Sequence, residues 1–273
     1  MELLHIIILA LIQGLTEFLP ISSSGHLLLP KELLGWPDQQ LAFDLAVHLG
    51  TLAAVMLYFW KDVFSIARDW TGSLITQRST EYSRLGWFLI IGTIPAALFG
   101  LVFEDLIEHH LRAIWVVATT TIIFGVLLGL ADRKRGATKD LTSLTLQVVL
   151  IIGCAQALAL IPGTSRSGIT ITAALFCGLS RTSAARFSFL LAIPIILLSG
   201  GYKTLQLLKL DYVNWGDLGL GVLLSFISAL VCIHFFLRFI NTIGMMPFVI
   251  YRLLLGGLLF AVYFNPQILS SLL

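Results

Sequence analysis

Apolar residues fall in long runs along this chain. Six runs approach the length of a bilayer crossing, at about 42–60, 86–103, 112–131, 186–201, 216–238 and 246–264. A spanning helix needs roughly 20 residues, with about 17 as the usual lower limit. The 186–201 run is therefore marginal and is expected to extend at either end. Two further apolar runs, 3–19 and 145–161, stop at Pro20 and Pro162, turn through Ser and Gly, and become apolar again at 27–29 and 169–179. A segment that enters, breaks and returns predicts a re-entrant helical hairpin. Such backbone is tolerated at membrane depth only where protein buries it or it lines a wet cavity.

The element order is then hairpin, three spans, hairpin, three spans. It predicts an all-α integral membrane protein with six transmembrane helices plus two re-entrant helical hairpins, folded as one domain over 1–273. Repeat 1 covers about 1–135 and repeat 2 about 145–273. Three spans per unit is an odd number, so the second copy sits inverted relative to the first. An inverted-topology repeat brings both hairpin tips together near the bilayer midplane.

Composition agrees. The chain is 58% hydrophobic and 12% charged, with a mean hydropathy of +0.94, where a soluble domain carries roughly 25% charged residues. The net charge of +2 gives no reason to expect nucleic acid. Cys154, Cys177 and Cys232 sit in apolar surroundings without metal-like spacing and read as small buried hydrophobes. The apolar N-terminus runs into polar residues without a small-residue cleavage site, so it reads as mature protein.

Lys and Arg in short loops set the orientation. One set of loops holds Lys61, Arg68, Arg78, Arg84, Arg133, Lys134, Arg135, Lys139, Arg181, Arg186 and Arg238; the other holds Lys31, Arg112, Lys203 and Lys209. Eleven against four predicts a cytoplasmic first set, with both termini and the segment Glu104, Asp105, Glu108, His109 and His110 outside.

The candidate chemistry lies in the two breaks. The first carries Gln13, Glu17, Pro20, Ser22, Ser23, Ser24, Gly25 and His26; the second carries Gln156, Pro162, Gly163, Thr164, Ser165, Arg166, Ser167, Gly168 and Thr170. In each, a Gln precedes a hydroxyl cluster and is followed twelve positions later by a Gly. Ionisable groups are costly in hydrocarbon and mark function when they occur there. Glu17 suits a base or a cation ligand, a Ser a nucleophile, and His26 an acid or base. Ser22 or Ser24 equally suits a helix cap. Arg166 offers a planar fork for phosphate oxygens beside a Gly-flanked helix start, a pattern that favours anions. Pairing of Arg166 with Glu17 across the repeat is compatible with a site that opens for substrate. Asp44 and His48, four apart on one helical face beside the first hairpin, suit a supporting or metal-associated role or, equally, a buried structural pairing. Tyr251 and Arg252 in the last run suit substrate, lipid headgroup or snorkelling contacts. On architecture alone, a secondary transporter or flippase for an anion or a polyprenyl phosphate lipid is the alternative to an enzyme.

The stretches Gly14 to His26 and Pro162 to Thr170 resemble the two signature motifs of the bacitracin-resistance type undecaprenyl-diphosphate phosphatases. The resemblance covers essentially the whole chain. It implies a bacterial inner-membrane, multi-pass enzyme that hydrolyses undecaprenyl diphosphate to the monophosphate at the outer face, recycling the lipid carrier for cell-wall synthesis. It also implies a divalent cation, Mg2+ or Ca2+, held by Glu17 and Gln13, the latter standing where some members carry a Glu. Partners would be the polyprenyl diphosphate and membrane lipids, with a homodimer left open and no nucleic acid. Position by position, Glu17, Ser23, His26 and Arg166 match catalytic residues. Ser22, Ser24, Gly163, Thr164, Ser165, Ser167 and Thr170 match the surrounding substrate-binding positions. Ser23-Ser24-Gly25-His26 also resembles the Ser-Gly-His motif of type 2 phosphatidic acid phosphatases, but after Ser165-Arg166 Thr172 stands where that family needs a His, and no Asp follows four residues later.

Overall fold

The structure, a computed structural model, describes residues 2–36, 41–103, 106–107, 111, 113–133, 138–207 and 214–265. Glu104, Asp105, Glu108, His109, His110, Arg112, Lys134, Arg135 and Lys209 lie outside the described residues.

Among the described residues the chain is helical and has no strand. One isolated bridge pairs Lys139 with Leu179. The helices are α1 (Leu3–Thr16), α2 (Ser23–Leu34), α3 (Leu41–Tyr58), α4 (Trp60–Thr76), α5 (Glu81–Val102), α6 (Ile114–Arg133), α7 (Leu146–Ala157), α8 (Arg166–Phe176), α9 (Arg181–Leu207), α10 (Trp215–Ile243) and α11 (Met246–Phe264). Six of them, α3, α5, α6, α9, α10 and α11, are long and apolar enough to cross a membrane. Each matches a run expected from the sequence. The marginal 186–201 run extends at both ends, because α9 takes up the polar turn from Arg181 and continues beyond Tyr202.

Two expectations need correction. The stretch after Tyr58, read as a loop, forms α4, whose apolar residues recur every three or four positions among charges. Cys154 is exposed rather than buried, because its face of α7 points away from the core.

Packing is close where small residues meet. Gly153 of α7 lies against Gly92 of α5, where an added Cβ would stand 2.7 Å from the Gly92 carbonyl. Gly14 of α1 lies against α10, where a Cβ would stand 2.6 Å from the Ser225 carbonyl. Without a hydrophobic force between helices in lipid, such approach supplies much of their cohesion. α3 packs along α10 and α6 along α11, while α1 and α7 lie beside their break partners α2 and α8. The core gathers around Phe18, Phe187, Phe189, Leu190, Ile233 and Phe236. Leu98, Ile123, Phe235 and Leu254 are exposed on the outside. An apolar surface this extensive is suited to lipid rather than water.

Candidate active site

Two helix breaks build the site. After α1 the chain leaves the helix, and α2 begins at Ser23 with Ser22 as its cap; after α7 and one 3-10 turn at Leu158–Leu160, α8 begins at Arg166 with Ser165 as its cap. The caps match in detail. Ser22 and Ser165 have φ of 73° and 71°, values that a non-glycine residue rarely adopts. The Gly25 amide donates to Ser22 Oγ (3.3 Å) and the Gly168 amide to Ser165 Oγ (3.1 Å). Their hydroxyls lie 3.3 Å from Ser24 Oγ and 3.2 Å from Ser167 Oγ, respectively. A serine cap contributes about 1 kcal/mol, while such a backbone costs about 1–3 kcal/mol. Neither cap would hold on its own account; the surrounding contacts hold both. Ser23 and Arg166 therefore occupy the same first-turn position on the two helices.

Glu17 joins the breaks. Its Oε2 accepts from Gln13 Nε2 (2.9 Å) and Ser23 Oγ (2.8 Å), and its Oε1 accepts from Arg166 Nη2 (3.2 Å). Arg166 Nη1 donates to the Ser188 carbonyl of α9 (3.1 Å), and its guanidinium lies 5.9 Å from the centroid of the Phe18 ring. Both side chains are withdrawn from water, at 7% exposure for Glu17 and 13% for Arg166. Removing one partner of such a pair strands a buried charge. A guanidinium has five N–H donors, so Arg166 retains capacity for an incoming anion.

A cavity of about 520 Å³ opens beside this pair. Glu17, Ser22, Ser23, Ser24, Ser165 and Arg166 line its polar end, joined by His48 of α3. Its flank is apolar, from Ala96, Gly100 and Leu101 of α5 to Ile195 and Leu198 of α9, and ends at Ser199 and Tyr202.

The remaining sequence-predicted residues stand behind this wall, not among its lining. Gln13 is fully buried, with its Oε1 unpartnered. Ser167 Oγ donates to the Leu19 carbonyl (2.8 Å) and stitches one break to the other. Thr170 Oγ1 donates to the Arg166 carbonyl (2.8 Å) and lies 2.7 Å from Ser188 Oγ. Gly163 has φ of 88°, and a Cβ there would stand 2.5 Å from the Val117 carbonyl, so the close approach to α6 needs glycine. Thr164 is buried with its hydroxyl unpartnered. His26 Nδ1 lies 2.6 Å from the Ser22 carbonyl, and its Nε2 meets the Tyr251 hydroxyl. A carbonyl only accepts, so Nδ1 carries a proton, and Nε2 shares a hydrogen bond with the Tyr251 hydroxyl.

Arg252 is more deeply placed than its sequence setting suggests. It is fully buried, so it neither snorkels nor reaches a headgroup. Its Nε donates to the Thr121 carbonyl (3.0 Å), Nη1 to Pro20 (3.3 Å), and Nη2 to Gly163 (2.9 Å) and Thr120 (3.4 Å). One guanidinium thus ties both breaks to α6.

The family model for bacitracin resistance protein BacA matches residues 6–258, a span that includes both breaks, the cavity and Arg252. The chain belongs to the BacA family. Among its relatives, the undecaprenyl-diphosphatase of Teredinibacter turnerae is 66% identical over 95% of this chain and 99% of its own. That of Saccharophagus degradans is 63% identical over 96% and 98%, and undecaprenyl-diphosphatase 1 of Pseudoalteromonas translucida is 60% identical over 94% and 97%. Within this BacA-family chain, sequence reasoning missed Thr120, Thr121 and Ser188, which hold the site through backbone carbonyls and hydroxyls alike: Thr120 Oγ1 donates to the Pro162 carbonyl (2.6 Å) and Thr121 Oγ1 to that of Gly163 (3.3 Å). A carbonyl leaves no mark in a sequence, and a hydroxyl within an apolar run reads as one bonded to its own helix. Tyr202 was also missed; a tyrosine among span-end residues reads as an interface anchor.

Proposed function

We propose that the chain is an undecaprenyl-diphosphatase, which hydrolyses undecaprenyl diphosphate to undecaprenyl phosphate and inorganic phosphate and so recycles the lipid carrier. The observation that carries this reading is the cavity itself: Arg166, Glu17 and the Ser22–Ser24 hydroxyls at one end, and an apolar flank leading away from them. A diphosphate suits the first and a prenyl chain the second. Relatives so similar over nearly their full length carry that name.

In this reading the terminal phosphate takes over the Arg166 fork, a planar donor set matched to phosphate oxygens. Ser23 Oγ attacks the terminal phosphorus and passes its proton to Glu17 Oε2, the carboxylate oxygen 2.8 Å away. The bond to the bridging oxygen breaks and the lipid monophosphate leaves. Glu17 gives that proton to the leaving monophosphate; its freed carboxylate then deprotonates a water that attacks the phosphoserine, and Ser23 Oγ leaves with the proton returned from Glu17. Positioning and charge neutralisation dominate phosphoryl transfer, and the residue set supplies both. His26 acts at one remove, holding the Ser22 cap between Tyr251 and its own helix.

A divalent cation fits the residues present. Among the described residues no three His, Cys, Asp or Glu side chains gather, but the unpartnered Gln13 Oε1 lies on the side chain whose Nε2 meets Glu17. One carboxylate with an amide oxygen suits an ion that keeps waters and shares the substrate phosphates. Glu17 and Gln13 would hold Mg2+ or Ca2+, which supplies neutralising charge when bound.

The matched caps at Ser22 and Ser165 support two inverted repeats, about 1–135 and 145–273, each opening with a re-entrant hairpin. The cavity sits at the ends of α5 and α9 remote from Arg84, Arg181 and Arg186. By the positive-inside rule it opens on the outer, periplasmic side of the inner membrane.

Phosphate release by purified protein from a long-chain prenyl diphosphate tests the function, with Arg166→Ala alongside. Release is expected to stop with a chelator, to return with Mg2+ or Ca2+, and to fall at least about 100-fold in the variant. No release by folded wild-type protein with metal present would sink the enzyme reading and turn attention to lipid transport. Near-normal turnover by Arg166→Ala would remove Arg166 from the site.

A further inference from the structure

His48 stands on α3 at the polar end of the cavity, with Glu17, Ser23 and Arg166. Its Nδ1 lies 2.7 Å from the Asp44 carbonyl one turn back, so Nδ1 carries a proton and the ring is fixed along its own helix. The segment is anchored as well: Thr51 Oγ1 donates to the His48 carbonyl (2.9 Å), and Gly50 packs tightly on α10 at Val222 and Ser225. Nε2 makes no hydrogen bond among the described residues. It is the polar atom of His48 left for a ligand.

The tautomer decides what that atom offers. In the neutral ring Nε2 presents a lone pair, which phosphate oxygens repel; in the imidazolium it presents an N–H, which they accept. We propose that His48 is a diphosphate-binding residue, donating from Nε2 as an imidazolium to the phosphate held by Arg166. This rests on the diphosphatase reading and extends it.

Several titratable or charged groups surround His48. Glu17 beyond α1, Arg166 of α8 and Tyr202 of α9 line the same cavity, and Asp44 lies on its own helix. Elsewhere on the helices packed against α3, Arg186 is engaged with Asp62, and His5 of α1 stacks on Trp36. On α10, Asp217 lies near the start, and Cys232, His234 and Arg238 lie beyond the Gly50 contact, with His234 against Tyr58. The arriving diphosphate adds negative charge and draws a proton onto the ring. Binding is then tighter with the ring protonated and weakens as His48 loses its proton.

Steady-state phosphate release between about pH 5.5 and 8.5 tests this across the imidazole range. Wild-type KM is expected to rise with pH. His48→Ala should raise KM about 10- to 100-fold, the range for a lost hydrogen bond to a charged group. His48→Gln, a neutral donor of similar reach, should recover part of that loss and lack the imidazole-dependent rise. The substrate's own titration persists in every variant, so the difference between profiles belongs to His48. An unchanged KM in His48→Ala, or a wild-type pH profile in His48→Gln, overturns the proposal. If His48→Ala does not fold, the His48→Gln profile decides. Absence of release by wild-type protein is a separate outcome, which removes the diphosphatase reading and this role with it.

Discussion

A buried guanidinium without a carboxylate beside it is among the costlier groups to place at membrane depth. Arg252 is in that position among the described residues, and the four backbone carbonyls that accept from it explain how it is tolerated. Two of those carbonyls, Pro20 and Gly163, belong to the breaks, where helical N–H groups no longer serve them. Arg252→Met keeps the volume, strands the Pro20 carbonyl and leaves Gly163 only the longer bond from Thr121 Oγ1 (3.3 Å), at about 1–3 kcal/mol for a buried group left unpaired. The variant is expected to lose about 3–5 kcal/mol, read as a lower Tm in detergent, and most of its phosphate release. Arg252→Lys should not restore it, because a single ammonium lacks the fork that spans both breaks. Wild-type Tm and turnover in Arg252→Met would refute this role. Glu17, the Ser22–Ser24 run and Arg166 were legible in the sequence because polar groups between apolar runs need a reason. The assignments to Ser167, Thr170 and Gly163 were not legible at the same depth. A hydroxyl that lines a cavity and one that stitches two loops look alike until the loops are placed. Arg252 was ambiguous for a related reason, since depth in the bilayer and depth in the protein are different quantities.

Helices that meet through glycine leave no room for relaxation when backbone faces backbone. An alanine at Gly153 would press its Cβ to 2.7 Å from the Gly92 carbonyl and 3.1 Å from the Gly92 Cα, neither of which can rotate away. Gly153→Ala is therefore expected to push α7 from α5 at a cost of about 1–3 kcal/mol. Because α7 leads into the break that presents Arg166, phosphate release should fall with Tm. Gly72 is the control: a Cβ there meets nothing within 4 Å. In the interior of α4, Gly72→Ala should stabilise by about 0.5–1 kcal/mol. Equal Tm values for the two variants would show that the α5–α7 contact is not tight. At this scale the sequence read well where the pattern was one of length. Each long apolar run became a spanning helix because hydrocarbon thickness fixes how many residues are needed. α4 was missed because Lys61, Asp62, Arg68 and Asp69 broke up its run, although Val63, Ile66 and Trp70 kept a helical period. Ile66 and Trp70 of that stripe are the side chains nearest Gly86 of α5.

The whole molecule has a polarity that neither its net charge nor its hydropathy reveals. α5 and α9 run in the same direction: Gly92 lies against Leu191, and further along both helices Leu101 and Leu198 line the cavity together. At the starts of these helices sit Arg84, Arg181 and Arg186, the latter two engaged with Asp132 (2.6 Å) and Asp62 (3.1 Å). The cavity is at the opposite ends, beside Ser199 and Tyr202. The basic loops and the cavity therefore belong to opposite sides of the bilayer, and fixing either side fixes the other. Single cysteines can read this in living cells once Cys154, Cys177 and Cys232 have been replaced. Ser199→Cys is expected to react with a membrane-impermeant maleimide on intact cells after the outer membrane is made permeable to it. Ser79→Cys, in the exposed turn before α5, should react only after the inner membrane is opened. A prenyl diphosphate added from outside should protect Ser199→Cys, since the substrate occupies the space around that side chain. Labelling in the reverse pattern would invert the molecule and place phosphate release in the cytoplasm. The positive-inside rule would then fail for a chain with an eleven-to-four bias in its loops, a bias that ordinarily sets the orientation of short-looped membrane proteins.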